Sequence, residues 1–277
     1  MLIDFSLCQK IPFEYGGLSC LKQCIIYNDM PYMLKLPYYI SEKNQIYNNE
    51  IVICEYLGSQ IYASLGIPVH TTLLGTLDGF IVVACQHMQR PGEYFVDFSR
   101  LKKDYLRTHK TGMQIQKNRD LKDTLEIIRL HPWLIAAGGA VERFWDMFII
   151  DFLIANYDRN NGNWGILTNW NTFRLAPVFD NGSCFRCNFK NISGGKIIQN
   201  NQHRHFLYAG HTLTISDFIH EHSTKDCKNA LKRIVKKLDL STIEALIARI
   251  KNSGIITQIQ ADVYSSTLEK NLKALLS

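Results

Sequence analysis

The chain has 277 residues, 46% of them hydrophobic and 20% charged, with a formal net charge of +6 at pH 7. This length is enough to bury a full core, either as one large domain or as two lobes. The composition is that of an ordinary globular protein, and no apolar stretch is long enough to cross a bilayer. The N-terminal residues lack a basic segment followed by a clean apolar run, so we predict no signal peptide and a cytoplasmic location.

The charge and the cysteines narrow the classes further. No block of Lys and Arg accompanies the positive charge, so we expect neither nucleic acid nor a membrane as a partner. The eight cysteines are scattered, and Cys24, Cys54 and Cys85 lie inside apolar runs, which indicates buried reduced thiols. Cys184 and Cys187 form a lone C-x-x-C, which cannot complete a four-ligand zinc site.

Residues 1–88 are predicted to be rich in strands, with one helix. Two strands flank an Asn-Asp turn at 28–29, and an Asp-Gly turn at 78–79 is typical of a hairpin. Residues 50–65 carry apolar or small side chains at helical spacing, and Gly66 ends that helix. This part of the chain therefore predicts a small β-rich lobe.

The character changes after residue 88. Residues 95–155 are predicted to be helical, and the helix at 141–155 is apolar nearly all round, as a buried helix is. Two short strands are predicted at 163–168 and 173–180.

The C-terminal part is predicted to be helical from about residue 213. Ser241 and Glu244 have the spacing of a capping box at the start of one of these helices. The chain as a whole predicts an α+β fold of two lobes, residues 1–88 and 89–277, joined near 85–92.

The polar loop that follows the buried helix is the most informative stretch. It reads NYDRNNGNWG and sets Asp158 and Asn163 five residues apart; two predicted strands later comes Asp180 in Asp-Asn-Gly. Protein kinases use the same order, D-x-x-x-x-N followed by D-x-G, to hold magnesium and to place a carboxylate at the acceptor hydroxyl. Taken separately, such residues typically form a cap and a turn. Their joint order favours a metal-phosphate site.

A lysine and an acid in the first lobe complete this pattern. Lys35 lies in a predicted strand among apolar neighbours, where an unpaired ammonium would cost several kcal/mol. Glu55 follows in the predicted helix, and a strand lysine held by a helix glutamate orients the lysine on phosphates in kinases. The alternative is that Lys35 reaches solvent from an edge strand while Glu55 faces water.

A glycine-containing stretch precedes the first predicted strand of this pattern. Gly16 and Gly17 would let the backbone approach phosphates, Ser19 could donate a hydrogen bond and Lys22 could add charge. An ordinary turn explains two adjacent glycines equally well. The position ahead of Lys35 favours a phosphate-binding loop.

The hinge between the lobes is the predicted place for a nucleotide base. Adenine is expected against the backbone of residues Gln86 to Met88, which follow the apolar run FIVVAC. These features together predict ATP and Mg²⁺ as cofactors.

NYDRNNGNWG and LAPVFDNGS resemble the HipA-like serine/threonine protein kinases, and more narrowly their cell-translocating kinase A branch. The resemblance extends through YMLKLP, SLGIPVHTTLLGT and FWDMFIIDFLIA, and covers most of residues 1–185. It implies a two-lobed protein-kinase-like fold and a protein substrate with a Ser/Thr acceptor. Besides a cytoplasmic location, the resemblance leaves open that the protein is exported as an effector.

The resemblance also implies roles for single residues. Asp158 would be the catalytic base, and Asn163 and Asp180 would bind magnesium. Lys35 would bind the phosphates, with Glu55 as its partner.

One position departs from the family pattern. Asn160 stands where the family usually has histidine, which leaves open how the loop is braced. The resemblance further implies autophosphorylation, with Ser19, Ser183 and Ser193 as candidate acceptors. The alternative is that these are ordinary loop serines.

Two alternative functions use the same residues. A small-molecule phosphotransferase or a nucleotidyl transferase would keep the cleft and change the acceptor or the transferred group. An inactive kinase-like binding module is the third reading, although such proteins commonly lack one of the polar site residues that are all present here.

Overall fold

Two units, each discontinuous in sequence, make up the fold. The computed structural model describes residues 2–13, 15, 21–41, 46–109, 120–185, 192–193, 196–197 and 205–277. The first unit comprises Met1–Met88, Val178–Arg186 and Asp239–Thr267; the second comprises Gln89–Pro177, Cys187–Leu238 and Leu268–Ser277. The first unit thus takes in two later segments that a single division after residue 88 would leave out.

Strands predominate in the first part of the described chain and helices in the rest. The strands are β1 (Ile3–Asp4), β2 (Gln9–Ile11), β3 (Lys22–Tyr27), β4 (Met30–Lys35), β5 (Tyr38–Ser41), β6 (Ile46–Asn48), β7 (Thr72–Leu77), β8 (Phe80–Gln86), β9 (Tyr94–Asp97), β10 (Gly165–Thr168), β11 (Phe173–Leu175), β12 (Ile192–Ser193), β13 (Lys196–Ile197), β14 (His205–Tyr208) and β15 (His211–Thr214). The α-helices are α1 (Glu50–Ser64), α2 (Phe98–His109), α3 (Leu121–Leu130), α4 (Pro132–Ala137), α5 (Ala140–Leu153), α6 (Lys225–Lys237), α7 (Leu240–Asn252) and α8 (Gln258–Leu276), and a short turn at Ile215–Asp217 continues as a π-helix at Phe218–His222.

A six-stranded sheet forms the centre of the first unit. Its order is β1-β7-β8-β4-β3-β2, with β1 parallel to β7 and the other neighbours antiparallel. The predicted turns are present: Asn28 and Asp29 join β3 to β4 with φ of 48° and 60°, and Asp78 and Gly79 join β7 to β8 with φ of 51° and 83°. Positive φ at both central residues matches the twist of a two-residue hairpin.

Alternation along the strands gives this sheet two apolar faces. Val83 and Cys85 pack with Ile51 and Val52 of α1 on one face. Side chains of opposite parity fill the other face, in a cluster of Phe5, Ile25, Tyr32, Leu34, Leu77, Val82 and Ala84. Because successive side chains of a strand point to opposite faces, one run of apolar residues serves both cores.

The second unit is built around α5 and a small sheet. Helix α5 buries side chains all round, including Trp145, Ile149 and Leu153, as its composition predicts. The sheet has the order β11-β10-β9. Two expectations were wrong here: residues 95–97, at the start of the stretch predicted to be helical, belong to β9, and the strand predicted at 173–180 ends at Leu175.

The predicted capping box at the start of α7 was also wrong. The helix begins one residue before Ser241, and Asp239 is its N-cap, accepting from the amides of Ser241 and Thr242. Glu244 instead accepts a hydrogen bond from Ser265 at 2.7 Å. An aspartate is as good an N-cap as a serine, and the sequence offered both.

Two further features concern the whole of the described chain. Among these residues, no helix combines the length and the apolar character that crossing a membrane requires. The cysteines described by the structure are reduced, and all of them except Cys8 are buried. Cys187 of the C-x-x-C pair lies outside the described residues.

Candidate active site

Lys35 is the last residue of β4 and its side chain is buried in the first unit. Its ammonium lies 2.5 Å from Glu55 Oε2 and 2.8 Å from Asp180 Oδ1. The lysine therefore joins two carboxylates that are 125 residues apart in the sequence. The alternative of a Lys35 that reaches solvent from an edge strand is wrong, because β4 lies between β3 and β8 and only 3% of the side chain is exposed.

Glu55 is held on both carboxylate oxygens. It lies on the buried face of α1 and is fully buried. Oε2 accepts from Lys35, while Oε1 accepts from the backbone amide of Asn181 at 3.0 Å and lies 3.0 Å from His70 Nε2. A buried charge with this many partners is fixed in one orientation.

The charges of this pair reinforce each other. Burial lowers the pKa of the Lys35 ammonium, but the Glu55 and Asp180 carboxylates outweigh burial and hold that pKa well above its usual range. Burial raises the pKa of the Glu55 carboxyl, and the charge of Lys35 with the His70 hydrogen bond brings it below its ordinary value. Both groups are therefore ionised at neutral pH.

The backbone is strained at Asp180, where the chain turns away from the core of the first unit. Val178 forms a parallel bridge with Val69, and the chain then turns at Asp180 with φ of +58°. Aspartate tolerates this left-handed region better than most residues do. The side chain is 36% exposed, so one oxygen bonds Lys35 while the carboxylate remains accessible.

The close approach of the segment after Asp180 to α1 depends on a glycine. A Cβ added at Gly58 would lie 2.8 Å from Asn181 Cβ and 3.0 Å from Cys184 Sγ. Asn181 also donates from Nδ2 to Ser59 Oγ at 3.0 Å, and Cys184 Sγ donates to the Cys54 carbonyl at 3.1 Å. Helix α1 thus holds both its own Glu55 and the residues that follow Asp180.

In the second unit, the loop at 156–163 is folded by its own side chains. Asp158 is exposed, and its backbone carbonyl accepts from Asn163 Nδ2 at 3.0 Å and from the Asn160 amide at 2.7 Å. Asn160 Oδ1 accepts in turn from the Gly162 amide at 2.8 Å. Asn160 therefore braces the loop through a local turn.

A buried ion pair anchors the same loop to the end of α5. Arg159 donates to both oxygens of Asp151, from Nε at 2.9 Å and from Nη2 at 3.1 Å. Asn156 Nδ2 adds a further bond to Asp151 at 2.9 Å. Sequence reasoning missed this anchor, although an acid inside the apolar run FIIDFLIA was a usable signal.

The oxygen atoms of the loop and of Asp180 suit a hard metal ion. Asn163 uses its amide nitrogen on the loop, so its side-chain oxygen is the atom it offers to a ligand. Asp180 offers a carboxylate. Amide and carboxylate oxygens are the protein ligands that Mg²⁺ prefers, so each of these residues, taken within its own unit, is chemically suited to bind the ion.

The remaining predicted nucleotide-binding residues are described only in part. Lys22 begins β3 directly opposite Lys35, so the two side chains share one face of the sheet. Gly16, Gly17 and Ser19 lie outside the described residues.

At the hinge, two backbone amides already have partners inside the first unit. The amide of Gln86 donates to the Thr71 carbonyl at 2.8 Å, and that of His87 donates to the Pro31 carbonyl at 2.9 Å. These two amides are therefore already used within the first unit.

Comparison with known proteins places the chain in a family. It is 31% identical to the serine/threonine-protein kinase CtkA of Helicobacter pylori, over 97% of this chain and 84% of that protein. The crystal structure of the H. pylori proinflammatory kinase CtkA matches with a TM-score of 0.81 at 29% identity, covering 100% of this chain and 98% of that one.

A more distant structure shares the fold. HipA of Shewanella oneidensis MR-1, in complex with HipB and its operator DNA, matches with a TM-score of 0.53 at 13% identity, over 96% of this chain and 67% of that one. No family model matches the chain. From the CtkA relationship, the chain belongs to the CtkA type of serine/threonine protein kinases.

Proposed function

We propose that this kinase is dependent on ATP and Mg²⁺ and phosphorylates Ser or Thr hydroxyls of proteins, itself included. The observation that carries the proposal is the buried Lys35 ammonium held between Glu55 and Asp180. A lysine fixed in this way is the group that protein kinases aim at nucleotide phosphates. When bound, ATP supplies the phosphoryl group and magnesium offsets its charge.

The residues of the chain would divide the work as follows. Lys35, kept charged and fixed by Glu55, would bind phosphate oxygens. Asn163 and Asp180 would hold the metal through their side-chain oxygens. Asp158 would accept the proton of the acceptor hydroxyl, for which its exposed carboxylate and its braced loop are suited. Positioning and charge neutralisation carry most of the catalysis in this chemistry.

Self-phosphorylation forms part of the proposal, with Ser19, Ser183 and Ser193 as candidate acceptors. The side chain of Ser183 is described and is half-buried, three residues beyond Asp180. Peptide mapping after incubation with ATP decides among the sites; modification at other residues alone would remove all three.

Intact-mass spectrometry of the purified protein with ATP and magnesium tests the function, beside Asp180→Ala and a generic protein substrate. Phosphate gained by the wild type or by the substrate, and lost in the variant, is the expected result. Transfer of adenylate in place of phosphate would replace the proposal with nucleotidyl transfer. Transfer to a small molecule, with protein hydroxyls unmodified, would replace the acceptor class.

A further inference from the structure

His70 has no assigned role, yet its side chain faces the centre of the first unit. It is buried, and Nε2 lies 3.0 Å from Glu55 Oε1 and 3.2 Å from Ser59 Oγ. Its backbone is fixed as well, because its amide donates to the Val178 carbonyl at 2.9 Å. The ring is therefore held from both ends, between α1 and the segment that leads to Asp180.

The acceptor determines which ring nitrogen carries a proton. The Glu55 carboxylate is ionised and can only accept, so a hydrogen bond at 3.0 Å requires His70 Nε2 to carry hydrogen. Ser59 Oγ, which already accepts from Asn181 Nδ2, lies beside the same nitrogen. Because Glu55 and Ser59 are one helical turn apart on α1, a single ring contacts both.

A metal ion at this place is a competing explanation of the cluster. Within the described part of the chain, Glu55, His70 and Cys85 are the acid, histidine and cysteine group whose ligand atoms lie within 4.8 Å of one another. The Lys35 ammonium already lies on Glu55 and would repel a second cation. Hydrogen bonding, and not metal binding, accounts for the arrangement.

We propose that His70 is a positioning residue, which holds Glu55 Oε1 so that Oε2 faces Lys35. This inference rests on the proposed role of the Lys35–Glu55 pair. The amide of Asn181 bonds the same oxygen, so the orientation of Glu55 depends both on His70 and on the residue after Asp180. Without the ring, Glu55 keeps one partner on Oε1 and gains freedom to rotate away from the lysine.

The test compares His70→Leu with His70→Gln, whose amide can donate to Glu55. We expect the leucine variant to lower kcat/KM for ATP by about 10- to 100-fold, partly through a higher KM, and the glutamine variant to recover most of it. A loss of folded protein would lower the apparent kcat alone. Gln60→Leu is the matched control, because Gln60 also links α1 to β7, through Thr72 at 3.3 Å, without contacting Glu55.

A double-mutant cycle with Glu55→Gln separates the two claims. If His70 acts through Glu55, His70→Leu adds little in the Glu55→Gln background. A damaging Glu55→Gln beside a harmless His70→Leu would overturn the inference and leave the proposed function standing. Full activity of Glu55→Gln would instead contradict the proposed role of the Lys35–Glu55 pair in the reaction. Equal loss in both His70 variants, in step with a lower Tm, would reduce His70 to a core residue.

Discussion

Asp151 and Arg159 join the end of α5 to the loop that carries Asp158. The guanidinium donates to both carboxylate oxygens, and the two side chains are only 9% and 7% exposed. Arg159 Nη1 also reaches the Asn163 carbonyl at 3.3 Å. A bidentate ion pair of this kind fixes the direction as well as the distance between its partners, so the buried helix sets the orientation of the loop.

Breaking this pair should destabilise the protein strongly. Asp151→Asn leaves the buried guanidinium without its counterion, and we expect the free energy of unfolding to fall by about 3–5 kcal/mol. Urea unfolding of the variant measures the loss. Asp226→Asn is the control, since Asp226 pairs with Arg129 where both side chains are more than 40% exposed, and its effect should stay below about 1 kcal/mol. Equal shifts in the two variants would contradict the assigned anchor.

Asp158→Ala should impair chemistry and spare stability. The carboxylate is exposed, and the loop contacts at residue 158 use its backbone carbonyl, which the substitution keeps. We expect turnover to fall by about 10²- to 10⁴-fold with ATP binding retained. Steady-state kinetics and nucleotide titration separate the two effects. Asn161→Ala in the same loop should behave like the wild type. If Asp158→Ala turned over as fast as this control, Asp158 would not be the catalytic base.

The pair of Glu93 and Arg174 should shape stability in acid. The Arg174 hydrogen bond, against a smaller effect of burial, lowers the pKa of the Glu93 carboxyl from 4.5 to about 2. Because the pKa is lowered in the folded state, the ionised Glu93 carboxylate stabilises the fold at pH values above the ordinary pKa of 4.5. This stabilisation is lost as the pH falls from about 4.5 to 2. Glu93→Gln should flatten the pH dependence of unfolding in that window. Arg174→Met should do the same, and an unchanged slope in both would refute the assignment.

Asp239 should contribute to the stability of α7. Its carboxylate caps the amides of Ser241 and Thr242, with Oδ1 at 2.9 and 3.4 Å. Asp239→Ala is expected to lower the Tm, and Asp239→Ser to restore most of the loss. Thermal unfolding of the two variants makes the comparison. If serine and alanine proved equally destabilising, the cap would not be the cause.

The pairing of Lys35 with Glu55 could be predicted because a buried charge narrows the choices. A lysine among apolar neighbours needs an acid, and helical spacing supplied one on the facing side of α1. The contact is present in the structure, and its catalytic role stays a prediction. His70 gave no such signal. Its side chain contacts Glu55 and Ser59 of α1 and its amide bonds the Val178 carbonyl, and a histidine does not require an acid as a buried lysine does.

The errors of the sequence reading have local causes. Residues 173–180 are apolar enough for one strand, but Pro177 cannot donate to a ladder, and the chain changes partner at Val178. At α7 two good caps stand close together and propensity does not rank them. The strand end depends on which segment Val178 pairs with, and the helix start depends on which of two nearby caps is used; local periodicity contains neither piece of information.

Gly58 implies a constraint on how sequences of this kind can diverge. Its missing side chain leaves the room that the Cβ of Asn181 occupies at the nearest approach to α1. A larger residue at 58 would have to be matched by glycine at 181, which has no Cβ, or the turn carrying Asp180 would shift outward. Positions 58 and 181 should therefore change together among functional relatives, and a library that varies both at once should recover active pairs that neither single library contains.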